Sequence, residues 1–449
     1  MNRVLIANRG EIACRIIRAA KTVGVETVAI YSEADVDLPH VALADQAVLV
    51  GPANARQSYL DMDKLLSVAS ETGCTMVHPG YGFMSENAEF ARRVQAEGLA
   101  FVGPAPDHIE LMGDKQNARA AAIEAGVPVL PGTQRLTADE TTWSVEARRI
   151  GYPLLVKAVA GGGGHGMKLI ESEEKLLPVI QQTSEFAARI FGDGGVYLER
   201  CLQEARHIEV QVFGFGSSGA VHLFERDCSL QRRHQKVIEE APAPGLTETV
   251  RAEMTEAALR LVRSIGYVGA GTVEYLYDPA TEEFYFLEMN TRIQVEHPVS
   301  EMITGIDLVA WQLRCAMADE RVVLAQQSDI AINGAAVEAR VYAENPAKKF
   351  LPVPGEIKRL ILPDLPGVRW ETGYRSGNSV TVHYDPLILK VIAHGSDRKD
   401  ALQRLSHALR TMEIEAKGSN LSFLLDLLET PEVQAGKIDT GMIERNIVA

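Results

Sequence analysis

The first hundred residues alternate between short β-rich runs and segments of helical periodicity, and this alternation constrains the fold more than any other feature. The β-rich runs lie at residues 4–7, 28–31, 47–50, 76–78 and 101–102. Between the first two runs, apolar residues recur at helical spacing from Ile12 to Val23, and Gly24 follows as a stop. Strands that are separated by helices can pair in parallel. The pattern therefore predicts an α/β fold that begins with a parallel, Rossmann-like sheet.

Composition sets the class of protein and excludes several kinds of partner. The chain has 449 residues, of which 46% are hydrophobic, so it can build the cores of several domains. A net charge of -15 argues against non-specific binding to nucleic acid or to anionic membranes. The five cysteines form no CxxC pair, and no apolar run is long enough to span a bilayer. We therefore expect a cytoplasmic protein with no nucleic-acid or membrane partner.

Residues 160–167 read AGGGGHGM and place five glycines among eight residues. The run matches G-x-G-x-x-G, but a dinucleotide-binding fold needs a helix after the loop, and here MKLI reads as a second strand. Strand, loop and strand make a hairpin flap, whose bare N–H groups suit a phosphate, with Lys157 adding positive charge. A surface loop without a ligand is the alternative. A protein kinase is excluded because neither an HRD nor a DFG motif follows.

A predicted hairpin at residues 272–290 carries acidic side chains. If Asp278 pairs with Phe284, a five-residue loop remains and Glu274 lies opposite Glu288. Asn290 then continues the same face. Facing carboxylates repel each other unless a cation lies between them, and oxygen ligands near nucleotide phosphates suit Mg²⁺. The alternative is a solvated acidic face on an edge hairpin.

Two further clusters are unusual for an acidic protein. Residues 225–236, ERDCSLQRRHQK, concentrate basic side chains. In residues 291–298, TRIQVEHP, an extended chain would aim Arg292, Gln294 and Glu296 in one direction. An arginine fork binds a planar oxyanion and a glutamate can accept a proton, so this set suits a small carboxylate-like substrate that is bound and deprotonated. A surface salt-bridge network is the alternative for each cluster.

Taken together, the motifs resemble those of biotin carboxylase, the ATP-grasp component of biotin-dependent carboxylases. They occur in order along the chain, from about residue 2 to about residue 446: IANRGEIA at 6–13, HPGYGF at 78–83, SEN at 85–87, MGDK at 112–115, the glycine loop, the basic cluster, EEAPAP at 239–244 and residues 288–298. The resemblance implies an ATP-grasp fold with an N-terminal parallel α/β domain, a small glycine-flap lid and a C-terminal α+β domain. The boundaries that we predict are 1–113 for the N-terminal domain, 114–130 for a linker, 131–203 for the lid, 204–330 for the central ATP-grasp domain and 331–449 for the C-terminal domain.

The resemblance also implies the activity and its cofactors. Members of this family carboxylate biotin with bicarbonate and ATP through carboxyphosphate, the first half-reaction of a biotin-dependent acyl-CoA carboxylase. The cofactors are ATP, Mg²⁺ (or Mn²⁺) and a biotin that a separate carrier supplies. The positions that match the nucleotide site are Lys115, Lys157, Gly163, Gly164, Glu199, Arg200, Cys201, Leu202, His207, Gln231, His234 and Leu276. The positions that match the metal ligands are Glu274, Glu288 and Asn290.

The remaining matched positions carry the chemistry. Lys236 matches a residue that faces phosphoryl transfer, and Arg340 matches one that steadies the biotin enolate. Glu296 matches the base that deprotonates bicarbonate. The bicarbonate site corresponds to Arg292, Gln294, Val295 and Glu296, and biotin packs where Tyr81 and Gly82 lie. One departure is His165, which stands in the flap where the family usually has arginine or lysine.

The partners follow from what the chain lacks. Biotin-bearing domains resemble AMKM around the modified lysine, and the only approximate match is GMKL at 166–169, inside the flap. We therefore expect that a biotin carboxyl carrier protein or domain supplies the biotin, or that the chain is the first part of a longer carboxylase. The resemblance further implies a carboxyltransferase subunit and a homodimer. The alternatives are another ATP-grasp ligase, such as a carbamoyl-phosphate synthetase-like enzyme, and a catalytically silent nucleotide-binding scaffold. A dinucleotide-dependent dehydrogenase fits less well because the glycine loop has the wrong flanks.

Overall fold

The computed structural model describes residues 2–137, 139–160, 166–202, 204–233, 235–319 and 325–448. Three residues assigned to the nucleotide site, Gly163, Gly164 and His234, and the unusual His165 lie outside these ranges. Within the ranges, no helix combines the length and the apolar character that crossing a membrane requires.

The N-terminal domain contains the expected parallel sheet. Its five strands, in spatial order, are Gln46–Gly51, Glu26–Ser32, Arg3–Ile6, Met76–His78 and Ala100–Phe101, and every neighbouring pair is parallel. Its α-helices are Gly10–Val23, Pro39–Leu43, Met62–Glu71, Ala88–Ala96 and Pro106–Gly113, with short 3-10 turns at Glu33–Asp35 and Ala55–Gln57. The first helix ends at Gly24, which has a φ of 74° and caps it in the left-handed conformation. The predicted strands and this helix stop are confirmed.

The segment that was predicted as a linker contains a helix, Lys115–Glu124. The side chain of Asp114 caps it by accepting hydrogen bonds from the N–H groups of Gln116 and Asn117. Ala118 and Ala122 are buried in the core of the central domain. Packing of this small-residue face against the core of the central domain therefore makes part of the predicted linker helical.

In its described residues, the lid consists of a three-stranded antiparallel sheet and two helices. The strands lie in the order Met167–Ile170, Leu154–Ala158 and Val196–Arg200, and the helices are Thr141–Ile150 and Glu173–Phe191. The strands on either side of the glycine run pair with each other, as predicted for a hairpin. A separate small core, built from residues such as Leu154, Val156 and Leu198, holds the lid together.

The largest sheet has eight antiparallel strands and continues across residue 330. In spatial order its strands are Glu283–Asn290, Val268–Asp278, Arg206–Phe215, Ala220–Arg232, Gln235–Ala241, Ala335–Tyr342, Leu387–Gly395 and Val368–Thr372. The helices that accompany it in the chain are Glu248–Ser264, His297–Thr304 and Leu308–Ala316, with 3-10 turns at Gly216–Ser218 and Gln327–Asp329. Strands on both sides of residue 330 therefore share one sheet, and the domain boundaries stay predictions.

The acidic hairpin has a different register from the predicted one. Phe284 pairs with Tyr277, not with Asp278, so the loop has four residues rather than five. A β-bulge between Glu274 and Tyr275 then shifts the pairing by one residue and places Glu274 opposite Glu288 after all. The pairing that matters for a metal site is confirmed, although the register from which it was deduced was wrong.

The C-terminal region adds small sheets and helices around the end of the large sheet. Its further strands are Glu344–Asn345, Leu351–Pro352, Gly355–Ile361, Ser379–Val380 and Glu413–Ala416, and its helices are Pro346–Lys348 (3-10), Arg398–Thr411, Leu421–Glu429, Pro431–Ala435 and Met442–Val448. From the sequence alone, residues 398–414 read as one continuous helix, which is too long. It ends at Thr411, because residues 413–416 pair with the strand Gly355–Ile361.

Candidate active site

Lys236 is the centre of a buried charge cluster on the large sheet. Its Nζ lies 2.6 Å from Glu209 Oε2, 2.6 Å from Glu296 Oε1 and 3.0 Å from Glu274 Oε1. Burial acts to lower the pKa of Lys236, but these three carboxylates outweigh it and hold that pKa well above its usual value. The ammonium therefore stays charged and draws together three acids that would otherwise repel one another.

Arg226 holds the carboxylate of Glu209, which in turn contacts Lys236. Arg226 is fully buried, and its Nε donates to Glu209 Oε1 at 2.6 Å. The same guanidinium donates to Gln211 Oε1 at 2.7 Å and to Gln294 Oε1 at 2.6 Å. Glu209 was missed from the sequence and Arg226 was noticed only as part of a basic cluster. The signal available in the sequence was the alternation of Glu209 and Gln211 with apolar residues in a strand-like run.

The segment 292–296 brings its alternating polar residues to this cluster through a turn, not as an extended strand. Gln294 Nε2 donates to Glu274 Oε1 at 2.8 Å. Arg292 donates from Nε to Glu86 Oε2 at 3.0 Å and from Nη2 to Asn290 Oδ1 at 2.9 Å. The side chains converge because Glu274 and Asn290 on neighbouring strands, and Glu86 in a turn of the N-terminal domain, hold them individually.

Glu296 is held between two cations. One carboxylate oxygen accepts from Lys236, and the other accepts from Arg340 Nη2 at 2.9 Å. Burial acts to raise the pKa of Glu296, but Lys236 and then Arg340 and Arg226 outweigh it and lower that pKa to about 2. The carboxylate is thus ionised at neutral pH, which is the state that a proton acceptor requires.

The residues assigned to the metal lie together on the hairpin. Glu288 is opposite Glu274, and Asn290 Nδ2 donates to Glu274 Oε1 at 2.9 Å. Burial raises the pKa of Glu288, and the charge of Glu274 raises it further. Glu274 already has cationic partners, whereas Glu288 has no ion pair among the described residues. The uncompensated charge of Glu288 and the oxygen-rich donor set both fit a hard divalent cation.

His207 adds another positive charge beside Glu274. Its Nε2 lies 3.1 Å from Glu274 Oε2. Burial acts to lower the pKa of His207, but Glu274 and Glu209 together outweigh it and raise that pKa to about 9. A protonated imidazole at this position offers a donor to an anionic ligand, as the assignment to the nucleotide site requires.

The other nucleotide-site residues lie on the lid and at nearby strand ends. Lys157 and Glu199, on neighbouring lid strands, form a salt bridge. Lys115 begins the helix that Asp114 caps, and Gln231 pairs with Lys236 across two strands. Leu276 pairs with His207 in the same sheet. Arg200, Cys201 and Leu202 lie at and just after the end of the strand Val196–Arg200.

The predicted biotin contacts are connected to the large sheet by two residues that the sequence did not reveal. The hydroxyl of Tyr81 donates to Glu11, and Glu11 Oε1 lies 3.2 Å from Lys390 Nζ. Lys390 donates to the carbonyl oxygen of Val295 at 2.6 Å. Gly82, the next residue, has a φ of 66° that favours glycine. Tyr81 in the N-terminal domain is therefore linked to the backbone of the segment 292–296.

Three family models match the chain in succession. Residues 1–109 match "Biotin carboxylase, N-terminal domain", residues 114–321 match "Carbamoyl-phosphate synthase L chain, ATP binding domain", and residues 338–445 match "Biotin carboxylase C-terminal domain". A biotin carboxylase of Allochromatium vinosum is 49% identical over 446 residues, which cover 99% of this chain and 98% of the relative. The mitochondrial methylcrotonoyl-CoA carboxylase subunit alpha of Dictyostelium discoideum is 48% identical, but the chain spans only 63% of its length.

Solved structures show the same fold. The biotin carboxylase of Campylobacter jejuni in complex with β-γ-ATP has a TM-score of 0.92 and 40% identity, covering 99% of this chain and 98% of its own. The biotin carboxylase domain dimer of the Hydrogenobacter thermophilus 2-oxoglutarate carboxylase, with MgADP, ADP and bicarbonate, has a TM-score of 0.90 and 42% identity. That alignment covers 99% of this chain and 97% of the other.

A small lid sheet with a glycine-run hairpin, joined to an antiparallel sheet that carries carboxylates and a buried lysine, defines an ATP-grasp enzyme. The matches along the whole chain identify the family within this class of enzymes. The chain belongs to the biotin carboxylase family.

Proposed function

We propose that this protein carboxylates the N1′ of biotin with bicarbonate at the expense of ATP. The observation that carries the proposal is the position of Glu296, an ionised and buried carboxylate held by Lys236 on one oxygen and by Arg340 on the other. The acid that accepts the proton of bicarbonate is thus in contact with the lysine assigned to phosphoryl transfer and the arginine assigned to biotin. Relatives named biotin carboxylase match the chain from end to end.

The residues divide the reaction between them. Glu296 accepts the proton of bicarbonate, whose oxygen then attacks the γ-phosphorus of ATP while the bond to ADP breaks. Lys236 stabilises the charge of the transferring phosphoryl group. The carboxyphosphate breaks down to CO₂ and phosphate, and the phosphate removes the N1′ proton of biotin. Arg340 stabilises the enolate oxygen while the nitrogen attacks CO₂.

The hairpin supplies the cation site for this chemistry. Glu274, Glu288 and Asn290 would hold Mg²⁺, which neutralises phosphate charge when bound. The Mg²⁺ named in a solved relative supports this choice, and Mn²⁺ stays a prediction. Lys115, Lys157 and His207 would bind the nucleotide phosphates from the remaining sides.

The assembly is proposed on the basis of the relatives. A carrier protein or domain would supply biotin, a carboxyltransferase subunit would use the carboxybiotin, and the chain would act as a homodimer. The similarity to methylcrotonoyl-CoA carboxylase alpha subunits supports membership of an acyl-CoA carboxylase, and a solved relative is a domain dimer. The cytoplasmic location stays a prediction from the cysteine pattern.

The test is ADP release by the purified protein with MgATP and bicarbonate, with and without free biotin. We expect release that biotin stimulates. Release that depends on bicarbonate but not on biotin, even with a biotinylated carrier domain present, would favour the carbamoyl-phosphate synthetase-like alternative. ATP binding without any release would favour the silent scaffold.

Glu288→Ala tests the metal site. Because Glu288 lacks a cationic partner among the described residues, its removal should not unbalance the charge cluster, and we expect little change in Tm. We expect ADP release to fall at least about 100-fold and the Mg²⁺ concentration for half-maximal activity to rise. Glu253→Ala, an exposed glutamate on the helix Glu248–Ser264, is the matched control. Unchanged Mg²⁺ dependence in Glu288→Ala would remove Glu288 from the ligand set.

A further inference from the structure

Two carboxyl groups lie behind Arg340 and have no role in the reaction as described so far. Glu239 and Glu338 are fully buried, and they stand directly opposite each other on the adjacent strands Gln235–Ala241 and Ala335–Tyr342. Like charges at directly opposed positions are destabilising even at a surface, and burial strengthens the repulsion. One of these groups must therefore be compensated or neutral.

Glu239 is paired with Arg340. Its Oε1 lies 2.5 Å from Arg340 Nη2, and the same nitrogen is 2.9 Å from Glu296 Oε2. Burial, together with the charge of Glu296, raises the pKa of Glu239 to about 7 and outweighs the effect of Arg340, which acts to lower it. Arg340 is thus fixed between a carboxylate that takes part in the reaction and one that does not. If Glu296 accepts a proton during turnover, Glu239 is the remaining anion that holds the guanidinium in place.

Glu338 has no comparable partner. The oxygens of both glutamates accept no hydrogen bond within the part of the chain that the structure describes, but only Glu239 has an ion pair there. On the following strand, Ile392 lies opposite Glu338, and the diagonal cation, Lys390, is directed at Glu11 and the carbonyl oxygen of Val295. Helix His297–Thr304 packs on this face through Val299 and Ile303, beside Ala336 and Ile392.

Among the described residues, the charges of the groups joined by ion pairs around Lys236, together with those of the pair of Lys390 and Glu11 and of Glu338, lead to the same conclusion. Arg292 and Glu288 at the edge of the cluster are not counted. The carboxyl groups counted are Glu11, Glu209, Glu239, Glu274, Glu296 and Glu338. The positive groups counted are Lys236, Arg226, Arg340, Lys390 and, when protonated, His207. His297, at the start of the packed helix, stays neutral because burial lowers its pKa well below the usual value. Acids exceed bases by one, and burial raises the pKa of Glu338 well above its usual value, which the charge of Glu239 reinforces.

We propose that Glu239 and Glu338 are a buried carboxyl pair that shares one proton at neutral pH, with Glu338 the neutral member, and that Glu239 positions Arg340 for biotin. Glu239 is a positioning residue, since it contacts Arg340 and does not touch the reacting atoms, whereas Glu338 holds the shared proton and contacts neither. Neutral Glu338 leaves the charge of Glu239 free to act on Arg340 alone. A second negative charge in the pair would weaken the packing of the two strands.

The protonation state of Glu338 is tested by thermal unfolding, a measurement that does not depend on the proposed function. A carboxyl whose folded pKa is raised binds its proton more tightly in the folded state, so folding stability falls as pH rises above the unfolded pKa of about 4.3. Glu338→Gln is permanently neutral and removes this loss. We expect its Tm to match the wild type near pH 4.5 and to exceed it by roughly 2 °C at pH 8. Glu253→Gln should show no such trend.

A Glu338→Gln protein that is less stable than the wild type at pH 8 would overturn the proposal, because it would mean that Glu338 is ionised and paired. The same holds if the difference in Tm does not change with pH. Infrared spectra give a second reading: the carbonyl band of a protonated carboxyl at pH 8 should be lost in Glu338→Gln and kept in Glu253→Gln.

The positioning role is tested by kinetics, and this arm rests on the proposed function. For Glu239→Gln we expect kcat for biotin-dependent ADP release to fall about tenfold, while the KM for ATP stays within about twofold. Glu338→Gln should keep at least half of the wild-type kcat. Glu239→Asp keeps the charge and gives a second variant if Glu239→Gln does not fold. Equal losses of kcat in Glu239→Gln and Glu338→Gln would contradict the positioning role of Glu239. A rise in the KM for ATP as large as the loss of kcat would contradict it too. Absence of biotin-dependent turnover in the wild type would instead refute the proposed function.

Discussion

Arg340→Ala should abolish most biotin-dependent turnover while leaving ATP binding intact. Arg340 is the cation assigned to the developing enolate, and removing one preorganised donor to an oxyanion typically lowers kcat by about 100- to 1000-fold. We expect a loss of this size in biotin-dependent ADP release, with the KM for ATP changed less than about twofold. The measurement is steady-state ADP release at saturating bicarbonate, with ATP and biotin varied in turn.

The same substitution will also affect folding. It leaves Glu239 and Glu296 without the guanidinium that both contact, and loss of one partner from a buried ion pair destabilises by about 3–5 kcal/mol. Arg340→Lys keeps the charge but loses the fork, so it separates the two effects: it should retain most of the stability and recover little of the kcat. A loss of ATP affinity as large as the loss of biotin turnover would contradict the assignment of Arg340 to biotin.

Lys236→Met should eliminate the reaction before biotin is involved. Lys236 connects Glu209, Glu274 and Glu296, so its loss removes the charge assigned to phosphoryl transfer and leaves three buried acids in repulsion. We expect ADP release that depends on bicarbonate to fall at least about 100-fold, with or without biotin. Lys175→Met, which removes an exposed lysine of a surface pair with Glu171, is the matched control.

The pH dependence of stability gives Lys236→Met a second signature. In the wild type the pKa of Glu296 is lowered to about 2, so its ionised form stabilises the fold above the unfolded pKa. That contribution is lost as pH falls from the unfolded value toward about 2. Without Lys236 it is largely missing at pH 7, and the deficit in Tm should shrink as pH falls below about 4.3. A deficit that is constant with pH would show that Lys236 acts through packing and not through charge.

The elements that the sequence revealed are those with local periodicity. The parallel sheet, the stop at Gly24 and the hairpin on either side of the glycine run each depend on neighbouring residues. The register of the acidic hairpin was wrong, because a bulge cannot be read from alternation. The helix after Arg398 was overextended, because pairing with a distant strand decides where it ends.

The residues of the candidate site show the same difference between local and long-range information. Residues grouped in short motifs, such as Glu288 and Glu296, were found at once. Glu11, Lys390 and Glu338 were not, because each looks like an isolated charge in its own segment and acquires its meaning from partners tens to hundreds of residues away. Buried charges of this kind are specified by the balance of the whole cluster, which a linear pattern does not display.

The continuity of the large sheet decides how the protein can be dissected. A fragment that stops near residue 330 would lose the strand Ala335–Tyr342 and leave the strand Gln235–Ala241 as a bare edge, with unpaired backbone groups next to Lys236. Such an edge recruits other chains and favours aggregation. For recombinant work, the nucleotide-binding region is therefore not a separable module, and a minimal active piece has to retain the chain through Gly395.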